Sequence, residues 1–219
     1  MTALDQVMER IEKARLGVSG HHIVQLVAVS KYSTSDEITA LYAQGQRAFG
    51  ENRIQDMEAK MAQLGALPLS WHFMGNLQSN KINKLIDLNP TLVHSVSSLE
   101  LARALDQRLA VKGRKLNALL QINSAYEETK GGVTPEAALE TYDAIRKGCP
   151  NLNLKGVMTI GAHTEDEAVI QKSFETTHAL YEKLQSQGAT ICSMGMSGDF
   201  ELAIRCGSNM VRLGSILFK

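Results

Sequence analysis

The sequence has few cysteines and none that are closely spaced. Only three occur among its 219 residues, at positions 149, 192 and 206, and none belongs to a C-x-x-C pair. This pattern argues against a disulfide framework and a structural zinc site, and favours reduced, mostly buried thiols. We also find no signal-peptide pattern at the start and no apolar run near the roughly 20 residues of a membrane span. These absences predict a cytoplasmic protein with no membrane partner.

The chain also has no excess of charge. Lys and Arg number 23, as do Asp and Glu, and no basic run occurs. No global field therefore favours nucleic acid, so we predict no nucleic-acid partner. Nor is there an H-E-x-x-H motif, or a Gly-rich dinucleotide fingerprint after the first apolar run.

What the sequence does contain is a regular alternation of strand and helix patterns. Apolar runs predict eight strands, over residues 23–30, 48–52, 69–74, 92–96, 115–122, 154–160, 190–196 and 210–218. Seven helices are predicted between them, opened in four cases by Thr34, Ser97, Thr134-Pro135 and Thr164, and one extra helix precedes the first strand. This is the pattern of a (β/α)₈ TIM barrel forming a single domain over residues 1–219. A doubly wound open sheet is the alternative, and the missing dinucleotide fingerprint counts against it.

The first strand ends in Ser30-Lys31, which places Lys31 at the mouth of a buried strand. In parallel α/β folds this mouth is where chemistry takes place. An amine beside apolar residues is expected to be partly desolvated, which favours the neutral form that Schiff-base chemistry needs. Spacing alone leaves open a simple exposed lysine.

The loops after the seventh and eighth strands resemble an anion site. Ser197 lies between glycines at a predicted helix start, and Gly214 stands beside Ser215. Backbone N–H groups in such loops favour phosphate, and barrels often bind phosphate at these two mouths. Taken singly, Ser197 could merely cap its helix and Gly214 could merely relieve crowding.

Arg212 lies two residues before Gly214, on the same face of the last strand. If that face is the barrel interior, the buried guanidinium needs an acceptor. A ring nitrogen, a phosphate, Glu51 or Asp199 would serve. A lysine, an anion site and an inward arginine together fit pyridoxal 5′-phosphate (PLP).

Seven blocks of the sequence carry a family resemblance. They are VAVSK (27–31), FGEN (49–52), WHFMGNLQSNK (71–81), HSV (94–96), GVMTI (156–160), MGMSGDFE (194–201) and MVRLG (210–214). In this order they resemble the pyridoxal phosphate homeostasis protein family, which is related to the N-terminal barrel of alanine racemase. The resemblance covers essentially the whole chain.

The resemblance implies a monomeric PLP-binding protein of vitamin B6 homeostasis that holds or delivers the cofactor without catalytic turnover. It implies that Lys31 forms the Schiff base and that Arg212 faces the pyridine nitrogen. Transient apoenzyme partners are implied as well. The implied cofactor-binding set is Lys31, Asn52, His72, Met196, Ser197, Arg212, Gly214 and Ser215, with Asn52 and His72 at strand ends.

The chain departs from the family pattern at three places. Ser97 replaces a common aspartate, and Ser215 replaces a common threonine but keeps the hydroxyl. The sequence stops at Phe218-Lys219, where relatives usually continue for a few residues. From this departure we expect a last helix that is short or absent, with an effect on the closure of the barrel bottom or the pocket.

Two other functions remain alternatives at this stage. A PLP-dependent amino-acid racemase would need a second acid/base group, and of five tyrosines only Tyr32 and Tyr126 are predicted near strand mouths. A metallohydrolase is prompted by His72, His94 and His163 at different strand ends, but pocket-lining histidines are favoured. Lys130, in the loop after the fifth strand, is a hypothetical second aldehyde carrier during transfer.

Overall fold

The computed structural model describes residues 1–218, whose eight parallel strands close into a barrel in chain order. The strands are β1 (Gln25–Val29), β2 (Ala48–Glu51), β3 (Ser70–Phe73), β4 (Leu92–Val96), β5 (Leu116–Ile122), β6 (Leu152–Thr159), β7 (Ile191–Ser193) and β8 (Met210–Leu213). The helices are α1 (Ala3–Leu16), α2 (Ser35–Ala43), α3 (Ile54–Gln63), α4 (Ile82–Leu88), α5 (Leu99–Lys112), α6 (Pro135–Gly148), α7 (Glu167–Gln185) and α8 (Phe200–Arg205). A 3₁₀ turn, Ser79–Lys81, precedes α4. The predicted (β/α)₈ barrel with an extra N-terminal helix is confirmed, and Lys219 lies outside the described residues.

The barrel closes between its first and last strands. Val27 pairs with Arg212, and Ala28 pairs with Leu213. On its other edge, β1 pairs with β2 through Ala28 and Phe49. All eight strands run in the same direction, so their carboxyl ends, with Lys31 and Gly214 just beyond two of them, meet at one mouth.

The strands are buried on both faces. Inside the barrel, an apolar cluster includes Val27, Leu119 and Met210. Outside it, Phe49 and Phe174 belong to the larger core that lies between the strands and the helices. Burial on both faces explains why the strand sequences are apolar runs rather than alternating patterns.

The extra helix α1 packs beside α8, near the predicted anion loop. A Thr2–Asp5 capping box opens α1. Arg10 of this helix forms an ion pair with Glu201 at 2.8 Å, and its guanidinium carbon lies 4.7 Å from the centre of the Phe200 ring. The helix therefore buttresses the segment that follows β7. Within residues 1–218, no helix is long and apolar enough to cross a membrane.

Several predicted boundaries are corrected by the structure. Strand β7 ends at Ser193 rather than residue 196, because Gly195 has a φ of +96°, which a strand does not allow. Strand β8 ends at Leu213 rather than residue 218. Helix α5 is capped by Ser98 instead of Ser97, and α7 by Asp166 instead of Thr164. In both cases the true cap accepts a backbone N–H of the first turn.

Candidate functional site

A cavity of about 690 Å³ opens at the carboxyl ends of the strands. Seven of the eight predicted cofactor-binding residues line it, namely Lys31, Asn52, Met196, Ser197, Arg212, Gly214 and Ser215. Its apolar wall includes Val29, Met74, Met158 and Ile160. Residues far apart in the chain are thus brought together by the closure of the barrel, as the sequence predicted.

Lys31 lies at the open rim of this cavity. It is exposed, and its Nζ lies 4.9 Å from the centre of the Tyr32 ring, which is itself 91% exposed. The expectation of a partly desolvated lysine is therefore corrected. Strand β1 ends at Val29, Ser30 is the last buried residue, and the chain turns outward at Lys31. The amine is open to a molecule arriving from solvent.

A buried ion pair holds the turn that presents Lys31. Glu51 Oε1 accepts hydrogen bonds from Ser30 Oγ at 2.6 Å and from Lys60 Nζ at 2.7 Å. Lys60 also donates to the Ser30 carbonyl at 2.6 Å. The sequence analysis missed this contact, although the polar Glu51 at the end of an apolar strand was a signal for it. Glu51 Oε2 has no hydrogen-bond partner among residues 1–218.

The loops after β7 and β8 form a cradle of donors. Ser197 Oγ accepts the backbone N–H of Gly214 at 3.2 Å and joins the two loops. The backbone N–H groups of Ser197, Gly198 and Ser215 have no acceptor within the described chain, and all three residues line the cavity. Unpaired N–H groups beside a cavity favour an anionic ligand. A Cβ on Gly198 would stand in open space.

Ser197 does not cap the short helix α8. Asp199, not Ser197, occupies the N-cap position, and Asp199 Oδ1 accepts the Met196 N–H at 2.6 Å. Burial raises the pKa of Asp199 from its ordinary value. The Ser197 Oγ links the two loops instead, and the residue lines the cavity.

Arg212 points into the barrel and is 4% exposed. Its Nη1 donates to Ser193 Oγ at 2.7 Å, and its Nη2 donates to the Thr159 carbonyl at 2.8 Å. Neither Glu51 nor Asp199 is hydrogen-bonded to it, so both acceptors are neutral. Burial lowers the pKa of Arg212 to about 10, which leaves a cation at neutral pH beside the cavity.

The eighth predicted residue, His72, lies elsewhere, and the expectation that it lines the pocket is corrected. It faces the barrel interior two residues before Met74, so Met74 occupies the same face one layer nearer the mouth. His72 instead lines a cavity of about 610 Å³ at the opposite end of the barrel. Its Nδ1 is 2.9 Å from Nε2 of His94.

Comparison with known proteins matches this architecture to one family. The model of the alanine racemase N-terminal domain matches residues 3–219. The pyridoxal phosphate homeostasis protein of Helicobacter pylori strain J99 is 55% identical over 216 residues, covering 99% of this chain and 96% of the relative. That of Aquifex aeolicus is 36% identical, covering 98% and 95%. The chain belongs to the pyridoxal phosphate homeostasis protein family.

Solved structures agree with that assignment. PipY of Synechococcus elongatus, solved with PLP bound, is 35% identical and aligns with a TM-score of 0.82, covering 96% of this chain and 99% of PipY. An alanine racemase of Clostridium difficile aligns with a TM-score of 0.75 at 18% identity and shares the fold. This chain covers 58% of that racemase.

Three other residues singled out in the sequence, Lys130, Tyr126 and His163, are not among those that line the cavity. Lys130 Nζ contacts Glu127 Oε1 at 2.8 Å and the Gly161 carbonyl at 2.6 Å. Tyr126 donates to Glu136 at 2.5 Å, and His163 is exposed. Among residues 1–218, no three His, Cys, Asp or Glu side chains come together as a metal site.

Proposed function

We propose that this chain binds PLP as a Schiff base on Lys31 and serves intracellular vitamin B6 homeostasis by holding and delivering the cofactor. The observation that carries the proposal is the cavity itself, which gathers one open lysine amine, a cradle of unpaired N–H groups and a buried arginine. An aldehyde, a phosphate and a pyridine nitrogen are the three groups that these features would recognise.

The residues present fit the cofactor. The N–H groups of Ser197, Gly198 and Ser215 would bind the phosphate together with the Ser197 hydroxyl. Met158 and Ile160 would pack against the ring, and Asn52 and Met196 belong to the same lining. Arg212 would donate to the ring nitrogen and keep it unprotonated. When bound, PLP supplies a reactive aldehyde and an electron sink.

Two features favour a carrier over an enzyme. An arginine at the ring nitrogen weakens the electron sink that amino-acid chemistry needs. Lys31 lies at an exposed rim, where the cofactor's aldehyde is accessible for exchange with solvent or with a recipient protein. We propose as well that the chain contacts apoenzymes transiently, is monomeric and cytoplasmic, and turns over no substrate.

A racemase is the second candidate, because Tyr32 lines the cavity beside Lys31 and could act as a second acid/base group. Two observations weigh against it. Tyr32 is 91% exposed, and its ring packs against the Lys31 amine, which leaves it poorly fixed for proton transfer from a defined direction.

Absorbance spectra of the purified protein with added PLP test the Schiff base, and a chiral assay of added alanine tests the racemase. A visible Schiff-base band is expected in the wild type and not in Lys31→Ala. Addition of D- or L-alanine is expected to produce no interconversion of the enantiomers. The absence of the band in both proteins would overturn PLP binding through Lys31, and measurable racemisation would replace the carrier with the racemase.

A further inference from the structure

A chain of polar side chains crosses the interior of the barrel from the candidate PLP cavity to the opposite end. Arg212 Nη1 donates to Ser193 Oγ at 2.7 Å, and Ser193 Oγ lies 3.4 Å from Nδ1 of His94. His94 Nε2 lies 2.9 Å from Nδ1 of His72. Arg212 lines the upper cavity and His72 lines the lower one, so the chain joins the two ends of the barrel.

Only one direction of donation along these hydrogen bonds satisfies all the buried groups. Arginine is a donor only, so Ser193 must accept from Arg212. If His94 also donated to Ser193, the Ser193 hydroxyl proton would have no acceptor among residues 1–218, although Ser193 is fully buried. An unsatisfied buried donor is unfavourable. The Ser193 hydroxyl therefore donates to His94 Nδ1.

This direction fixes the tautomer of both rings. Because His94 accepts at Nδ1, its proton lies on Nε2 and is donated to Nδ1 of His72. The His72 proton then lies on Nε2, at the lower cavity. Burial and neighbouring charge keep both rings neutral, since burial lowers the pKa of His72 to about 4, and burial, His72 and Arg212 lower that of His94.

We propose that His94 is a positioning residue which, acting through Ser193, fixes the guanidinium of Arg212 at the floor of the cofactor cavity. The relevance of this role to PLP rests on the proposed function, in which Arg212 faces the pyridine nitrogen. The chain of bonds itself lies in the protein and needs no cofactor.

Loss of the Ser193–His94 hydrogen bonds would leave the Arg212 guanidinium with fewer anchors. Thr159 holds Nη2 through its backbone carbonyl, and Ser193 holds Nη1. With one anchor the guanidinium can rotate about the remaining bond, whereas with two it cannot. The orientation of Ser193 in turn depends on His94, the acceptor of its hydroxyl proton.

The test is made on the apoprotein by NMR, with ¹⁵N-labelled arginine and histidine. In the wild type, His94 and His72 are expected as Nε2–H tautomers, and the Arg212 Nη protons are expected to exchange slowly with water. Ser193→Ala and His94→Leu are each expected to speed that exchange by about tenfold, the effect of one lost hydrogen bond to a charged group. Ser193→Thr is expected to restore the slow rate, and His21→Asn, at an exposed histidine, serves as the control.

An unchanged Arg212 exchange rate in Ser193→Ala or in folded His94→Leu would overturn the proposal. If His94→Leu does not fold, the wild-type tautomers decide, since a proton on Nδ1 of His94 contradicts the direction of the chain. Failure of the PLP proposal is seen separately, as the absence of a Schiff-base band in the wild type. That result would leave the apoprotein measurements standing.

Discussion

The Ser197 hydroxyl accepts the backbone N–H of Gly214 at 3.2 Å and ties the loop after β7 to the loop after β8. These loops belong to strands that meet in the closed sheet. The bond joins the two loops that carry the unpaired N–H groups of Ser197, Gly198 and Ser215, and all three residues line the cavity. The proposed anion site therefore depends on two loops together and on neither alone.

Loss of the Ser197 hydroxyl is expected to weaken phosphate recognition specifically. Ser197→Ala removes both the loop-to-loop bond and the proposed donor to the phosphate, so the Kd for PLP should rise by about tenfold or more. The Kd for pyridoxal, which has no phosphate, should change little. Fluorescence titrations with both ligands measure this, with Ser186→Ala at the exposed end of α7 as the control. An equal loss for both ligands would place the phosphate elsewhere.

The buried Glu51–Lys60 pair is expected to contribute to stability as well as to the shape of the site. Lys60→Met leaves a fully buried carboxylate without its cation, at a cost of about 3–5 kcal/mol in the free energy of unfolding. Lys84→Met is the matched control, since its pair with Glu58 is exposed, and it should cost less than about 1 kcal/mol. Urea unfolding compares the two variants. An equal loss of unfolding free energy in the two variants would contradict a special stabilising role of the Glu51–Lys60 pair.

Because His72 is buried and neutral, the free energy of unfolding is expected to fall in mild acid. Burial lowers the pKa of His72 to about 4, so between that value and its ordinary value of 6.5 the unfolded chain binds more protons than the folded one. The free energy of unfolding therefore falls as the pH falls through this window, by about 2 kcal/mol at pH 5 from His72 alone. Urea unfolding at pH 7 and pH 5 measures the difference. His72→Gln should show a smaller difference, and an unchanged one would contradict the assignment.

The sequence predicted the barrel and most of the cavity because both depend on local patterns. The apolar run before Lys31, the glycines beside Ser197 and the Gly214-Ser215 pair can all be read from the sequence. In the structure these segments reach the cavity. Since parallel strands present their carboxyl ends at one mouth, the order of the motifs was sufficient to bring them together.

The rest depended on contacts between distant residues. The exposure of Lys31 follows from where β1 ends, and strand ends are poorly marked in sequence. The displacement of His72 to the lower cavity follows from its depth in the barrel, because two residues along a strand separate it from Met74. Arg212 donates to Ser193 and to Thr159, which lie on other strands. Nothing in the sequence marks either residue as its partner.

Chemical trapping of the cofactor tests the central claim most directly. The PLP-loaded protein is reduced with borohydride, digested and analysed by mass spectrometry. We expect one stable pyridoxyl-phosphate group on the peptide that carries Lys31, and none in Lys31→Ala. A group trapped on another lysine in the wild type, or an equal yield in Lys31→Ala, would contradict the assignment of Lys31 as the site that holds the cofactor.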